Sequence, residues 1–298
     1  MVRLTLLGTG AALMDPDRAQ TALLISVDDR EHIMLDCGDG AVRRLVQAGV
    51  SPSEVGTLLL THLHFDHTAD LATFAIAGWM LNRKGAFRLL GPPGTRRMVE
   101  HLLEGGAYDA DIRARAAYRL RQSNMEALRP EITEIAPGVI HDDGRLRITA
   151  ALVDHIPEEI CQCYGFRIEV GGRVIVFSGD TTPTANMRDL ARDADVLVHD
   201  CTFPEAFLEH RRKSGVGTSA HTSPLELGQI AAEAGVKLLV PSHFGHFDTT
   251  SPVLLRCAAA HLPPELAGPH QIDAMVRDIR RHYAGPVLPA QDLMRIEL

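Results

Sequence analysis

Thr61-His62-Leu63-His64-Phe65-Asp66-His67 puts three imidazoles and one carboxylate within six residues, directly after the apolar run 55–60. A strand delivers the chain there, and the turn that follows lets His62 and His64 point one way while Asp66 and His67 point another. Imidazole and carboxylate together suit a borderline metal such as zinc, and a cluster this dense suits a pair of ions.

The pattern of an apolar strand ending in His or Asp recurs four more times. Residues 147–153 run into Asp154-His155, 173–177 into Ser178-Gly179-Asp180, 196–198 into His199-Asp200, and 236–240 into Ser242-His243. In layered α/β proteins the ligand crevice lies beyond the carboxyl ends of the strands, so groups far apart in sequence can converge there.

The chain has 298 residues, 45% hydrophobic and 23% charged, which suits one enzyme domain over 1–298 built as a two-sheet sandwich with outer helices. No apolar run approaches the roughly 20 residues of a membrane helix. Residues 1–10 read as an opening strand and a glycine turn without the features of a secretory signal, so a cytoplasmic location is expected. Cys37, Cys161, Cys163, Cys201 and Cys257 are odd in number and too sparse for a disulfide framework. The spacing of Cys161 and Cys163 favours a structural or pocket-lining role over metal binding.

A formal net charge of −8 argues against a surface made for a long polyanion, so nucleic acid is not an expected partner. Arg113, Arg115, Arg119, Arg121 and Arg129 are the local exception, and a solvated helical face is favoured for them over an anion-binding lid. The rest reads as strands 2–7, 21–27 and 32–36, a helix over 41–48, and helical composition over 71–81, 95–104 and 109–128. Strand, turn and helix then alternate, with strands over 165–170, 173–177, 196–199 and 236–240, helices over 184–192, 224–234 and 271–283, and a closing strand over 292–297.

The ordered set Leu7-Gly8-Thr9-Gly10, Leu35-Asp36-Cys37-Gly38, the His62 to His67 motif, Val153-Asp154-His155, Tyr164-Gly165-Phe166, Ser178-Gly179-Asp180-Thr181, His199-Asp200-Cys201-Thr202-Phe203, His221-Thr222-Ser223 and Ser242-His243-Phe244 resembles one family over nearly the whole chain. That family is the metallo-β-lactamase-fold hydrolases, in the ribonuclease Z-like branch that also holds arylsulfatase-like and cyclic-phosphodiesterase-like enzymes. The resemblance implies an α/β fold, an αββα four-layer sandwich, with two Zn²⁺ at one edge and Mn²⁺ or Fe as alternatives. It assigns His62, His64 and His155 to one metal, Asp66, His67 and His243 to the other, and Asp180 to both. A hydroxide between the metals would be the nucleophile, since metal binding lowers the pKa of water toward about 7. The resemblance also puts Asp200 and His221 beside the metals as an acid pair, so Asp66, Asp200 and His221 form the expected catalytic set. Members with this pattern are commonly dimers, and a homodimer is expected.

Several departures from ribonuclease Z bear on substrate. That enzyme carries a long basic arm between the Tyr-Gly-Phe-like turn and Gly-Asp-Thr, where this chain has one hairpin turned at Gly171-Gly172. Thr182 stands where Arg is common, and Gly245-His246 where the tRNA-processing members carry Ser and Arg. In place of the arm, an insertion over about 100–137 is expected to cap the active-site edge as a helical lid. Phe65, Trp79, Met80, Tyr164, Phe244 and Phe247 are candidate pocket walls, although Trp79 and Met80 read better as core. The expected function is hydrolysis of a small ester, a phosphodiester first and a sulfate ester or lactone next. The alternative is a ribonuclease Z-like endoribonuclease acting on tRNA 3′ ends. A redox role on the same fold is set aside, because His64 stands where flavin-linked di-iron members usually carry Glu.

Overall fold

A computed structural model describes residues 1–122, 124–215, 220–258 and 262–298. The chain divides into two compact units. The first comprises Met1–Gly8, Ala19–Ala136 and Asp292–Leu298, and the second Thr9–Arg18 and Pro137–Gln291. No helix of the described residues is long and apolar enough to cross a membrane.

The first unit holds β1 (Val2–Gly8), β2 (Ala22–Val27), β3 (Glu31–Leu35), α1 (Ala41–Gln47), β4 (Val55–Leu59), α2 (Phe65–Thr68), α3 (Leu71–Met80), β5 (Arg88–Gly91), α4 (Thr95–Leu103), α5 (Asp109–Ala116), α6 (Arg119–Gln122) and β6 (Glu131–Glu134). The chain's last strand, β13 (Arg295–Glu297), also belongs to it, and its sheet runs β13-β1-β2-β3-β4-β5-β6. The β13, β1, β2 and β3 pairs are antiparallel, whereas β4, β5 and β6 join in parallel. Parallel pairing needs crossovers, and α1 and α3 supply two of them. Strands β2 and β3 are buried almost throughout, as strands covered on both faces should be.

The core of this unit collects Phe74, Trp79, Phe87 and the aliphatic residues of β2 to β5. It also takes in a cation that sequence patterning did not flag. Arg83 is 3% exposed, and its guanidinium carbon lies 4.7 Å from the Phe74 ring centroid and 4.4 Å from that of Phe87. It donates to the carbonyl oxygens of Pro52 at 2.7 Å and Ala127 at 3.2 Å. Ring faces and carbonyls replace the lost hydration. Burial pulls its pKa down to about 10. Gly78 leaves it room, since a Cβ there would stand 2.3 Å from the guanidinium carbon.

The expected helix over 109–128 breaks into α5, α6 and a 3₁₀ turn at Met125–Ala127. Ile112 is the one buried residue of α5 and α6 has none, so little tertiary packing holds a continuous helix there. The end of the expected insertion is a sheet strand instead, with β6 in parallel register on β5. Arg121 donates to the Trp79 carbonyl and to Asn82, and Arg115 lies 3.7 Å from the Met80 sulfur. These contacts anchor the segment at the C-terminal end of α3, roughly 15 Å along that helix from the end that follows the histidine loop.

The second unit holds β7 (Gly138–Asp142), β8 (Leu146–Val153), β9 (Cys163–Val170), β10 (Arg173–Phe177), α7 (Ala185–Leu190), β11 (Val196–Asp200), α8 (Glu205–Lys213), α9 (Pro224–Glu233), β12 (Leu239–Ser242), α10 (Pro252–Ala258) and α11 (His270–Ile279). Its sheet runs β12-β11-β10-β9-β8-β7, antiparallel from β7 to β10 and parallel from β10 to β12. The strand expected over 236–240 starts at Leu239, and the helix expected over 271–283 stops at Ile279. Ser223 caps α9 with a capping box to Glu226, and Pro224 follows at the first helical position.

Candidate metal centre

In the first unit the donors stand where β3 and β4 end side by side. Leu35 pairs with Leu59, so Asp36 and Thr61 emerge as neighbours. The Thr61 backbone N–H donates to Asp36 Oδ1 at 2.8 Å, and its hydroxyl donates to Oδ2 at 2.9 Å. The same hydroxyl oxygen is 3.0 Å from His62 Nδ1. His67, on α2, sets Nδ1 2.7 Å from Asp36 Oδ2. Burial pushes the Asp36 carboxyl up, and the contacts from His67 and Thr61 oppose that shift. His62 and His67 are fully buried and Asp66 nearly so, while His64 is exposed. His62 Nε2 lies 3.1 Å from His64 Nδ1, and His67 Nε2 lies 3.7 Å from Asp66 Oδ2.

In the second unit the donors come from five separate segments. His155 follows β8 and sets Nδ1 2.8 Å from the Ala220 carbonyl oxygen. Asp180 follows β10. His243 follows β12 with φ of 57°, a left-handed conformation that is costly for a side chain with a Cβ, and its Nδ1 lies 3.0 Å from the Thr202 hydroxyl. His155 Nε2 and His243 Nε2 are 3.5 Å and 3.2 Å from the same oxygen, Asp180 Oδ2. Burial lowers the His155 pKa, with Asp180 opposing, which favours the neutral ring that a metal ligand must be. Asp200 ends β11, and its Oδ2 is 2.9 Å from His221 Nδ1. Single donor atoms of Asp180, Asp200 and His221 all lie within 4.8 Å of one another.

These donors fit a divalent metal by a test internal to each unit. His67, His155 and His243 each use Nδ1 on an oxygen and keep Nε2 for the donor cluster, which is how metal-ligating histidines are oriented. Ligands on a common tetrahedral ion with bonds of about 2.0–2.2 Å stand about 3.4 Å apart. The 3.1, 3.2 and 3.5 Å separations agree with that spacing.

Other expectations fare differently. Trp79 is buried core, as its helical pattern leads one to expect; Tyr164, Phe244 and Phe247 are buried core side chains too, not pocket walls, and Phe65 alone of the candidates is strongly exposed, at 54%. The cysteines are free thiols, and Cys161 and Cys163 join none of the donor clusters among the described residues. Arg113 and Arg115 face Asp109 and Asp111 across one helical turn, which is the solvated-face arrangement. His32 meets Ser26, and His141 stands near Asp143. His261 lies outside the described residues. Sequence reading missed Thr202 as the partner of His243, although it lies two residues past Asp200.

Two sheets, each with His and Asp donors beyond the carboxyl ends of its strands, define a metallo-β-lactamase-fold hydrolase. The metallo-β-lactamase fold protein YhfI from Bacillus subtilis superposes with a TM-score of 0.73 at 20% identity, each chain covered in full. The short form of human tRNase Z does so with a TM-score of 0.68 at 19% identity, covering 99% of this chain and 98% of that one. The family described as Anti-Pycsar protein Apyc1 matches residues 2–213. Ribonuclease Z of Mycobacterium marinum is 34% identical over 251 residues, covering 82% of this chain and 86% of the relative. The chain belongs to the metallo-β-lactamase-fold hydrolases, in their ribonuclease Z-like branch.

Proposed function

We propose that the chain is a phosphodiesterase dependent on two divalent cations, zinc first, and that 1–298 act as one catalytic domain. One cation is assigned to His62, His64 and His155, the other to Asp66, His67 and His243, with Asp180 shared. The observation that carries this reading is the convergence of His155 and His243 on one oxygen of Asp180, next to the Asp200–His221 pair. When bound, such a pair of ions lowers the pKa of water and neutralises charge on the ester oxygens. The chain's own residues do the rest. Asp200 would hold His221 as the imidazolium through Nδ1–H, so that Nε2–H can give its proton to the leaving oxygen as the P–O bond breaks and the water oxygen joins phosphorus, the proton lost by the water then restoring the ring. A cavity of about 320 Å³ opens beside His221, lined by Thr182, Pro183, Leu208, Arg212 and Ser223 among others, and suits a leaving group of nucleotide size or smaller.

For the substrate, RNA is the class that the ribonuclease Z relatives favour, and it takes precedence over the small ester expected from sequence. A small phosphodiester is kept as the second reading on one observation. The β9–β10 ladder runs in register to the Val170–Arg173 pair, so the hairpin carries no arm, and its tip is Gly171 and Gly172 alone. A sulfate ester and a lactone complete the set to be tried. We also infer a cytoplasmic homodimer, which light scattering tests, and the free buried thiols accord with a reducing compartment.

The test is a panel of pre-tRNA, cyclic nucleotides, bis-(p-nitrophenyl) phosphate, p-nitrophenyl sulfate and a lactone, run with zinc beside an Asp180→Ala control. Cleavage of pre-tRNA at the 3′ side supports the first reading, and cleavage confined to small phosphodiesters supports the second. Turnover of the sulfate ester or lactone alone overturns both.

A further inference from the structure

Both carboxylate oxygens of Asp200 face imidazole nitrogens. Oδ2 lies 2.9 Å from His221 Nδ1, and Oδ1 lies 3.1 Å from His199 Nδ1. The same His199 nitrogen is 2.9 Å from the Asp200 carbonyl oxygen. The contact with that carbonyl puts the His199 proton on Nδ1, while Asp200 Oδ1 makes no hydrogen bond of its own among the described residues and has the Nδ1–H as its neighbour. Its other nitrogen, Nε2, is buried with no hydrogen-bond partner among the described residues. A residue kept for volume alone would not leave a ring nitrogen unsatisfied in a fully buried place, where Phe or Leu would fill the space without that penalty. The use of His at this position therefore lies in what Nδ1 does.

What Nδ1 does is limit a short side chain. The Asp200 backbone N–H donates to Ser178 Oγ at 3.0 Å, which fixes the strand end, but the carboxylate could still turn about its last bond. The His199 Nδ1–H, held by the Asp200 carbonyl, stands 3.1 Å from Oδ1, and its attraction for that otherwise unpaired oxygen favours the rotamer that aims Oδ2 at His221. Burial alone would push the Asp200 carboxyl up, yet the contacts from His199 and His221 hold it below the usual carboxylate range, so it stays an acceptor.

We propose that His199 is a positioning residue that orients the Asp200 carboxylate and through it sets the tautomer and direction of His221. Its catalytic consequence rests on the phosphodiesterase reading, whereas the orientation itself does not, and the experiment separates the two. Long-range ¹H–¹⁵N correlation spectra of the full chain with ¹⁵N-labelled histidine, recorded with zinc and after chelation, report the tautomers directly. The wild type is expected to show His221 protonated on Nδ1. His199→Phe is expected to lose that signature. His199→Asn, whose amide N–H takes the place of Nδ1, is expected to keep it. His199→Gln, whose amide reaches the Nε2 position, is expected to lose it. An unchanged His221 spectrum in His199→Phe overturns the proposal. Where the Phe variant fails to fold, equal spectra in the Asn and Gln variants overturn it.

The kinetic arm uses aryl phosphodiesters whose leaving phenols range from p-nitrophenol to phenol. Proton donation matters most for the poor leaving group, so His199→Phe should lose at least about tenfold in kcat/KM with phenol and less than about twofold with p-nitrophenol. His199→Asn should restore the wild-type slope, and His199→Phe should add nothing in an Asp200→Ala background. A loss uniform across the series marks a packing role and sinks the proposal. If the wild type cleaves no aryl phosphodiester, the functional reading fails in this form while the spectra still decide the role of His199.

Discussion

In the first unit β1, β2 and β3 run antiparallel before β4 and β5 join in parallel, and in the second β7 to β10 do the same before β11 and β12. The wiring is alike, but the donors are arranged differently. The first sheet places four of them within six residues, 62–67, shortly after one strand. The second gathers His155, Asp180, Asp200, His221 and His243 from segments that only the finished sheet brings together. A local loop can take its shape with little help, whereas a dispersed set is as ordered as the whole unit that carries it.

Substitutions on the two sides sharpen this contrast. The largest effect is expected from Asp180→Ala in the dispersed set. It removes the oxygen on which two imidazoles converge, and turnover of the active panel substrate should fall by at least about 10³-fold, with metal content reduced in elemental analysis. Chelation of the wild type should abolish the same activity, and added zinc should restore it. Next comes His221→Ala, expected to slow turnover by about 10² to 10⁴ while metal content stays at the wild-type level. A parallel loss of metal would show that this imidazole belongs to the ligands instead. On the local side, Asp36→Ala frees His67 Nδ1, and chelator competition should read a metal affinity weaker by about 10- to 100-fold. Smallest of all, Arg113→Ala removes an exposed helical ion pair and should shift urea-denaturation stability by no more than about 0.5 kcal/mol, with KM unaltered. A raised KM would give the arginine-bearing segment a substrate role after all.

The same contrast sets what could be read from the chain. The 62–67 loop needs no tertiary information, because its donors are neighbours in sequence, and strands β1, β2 and β3 were legible from their apolar runs. Strands β5 and β6, four residues each, are too short to carry a periodic signal, and β6 is half polar and exposed. The broken helix over 109–128 has good helical composition but almost nothing to bury. For the dispersed donors, strand ends named the candidates, and family resemblance supplied their grouping. Neither could supply Thr202 as the partner of His243, or His199 as the second neighbour of the Asp200 carboxylate. Thr202 reaches His243 across a separation of 41 residues, and His199 turns back on the residue that follows it, which is a matter of local ring orientation. Arg83 was unreadable for the same reason, since nothing in its neighbours announces a guanidinium buried against two phenyl rings.

The bare tip at Gly171 and Gly172, with φ of 57° and 72°, has one more consequence. The ladder below it is complete without any residue beyond the two glycines, so added chain at that point has no native pairing to disturb. It is a point in the sheet where inserted chain should be tolerated, with the ladder on either side left intact.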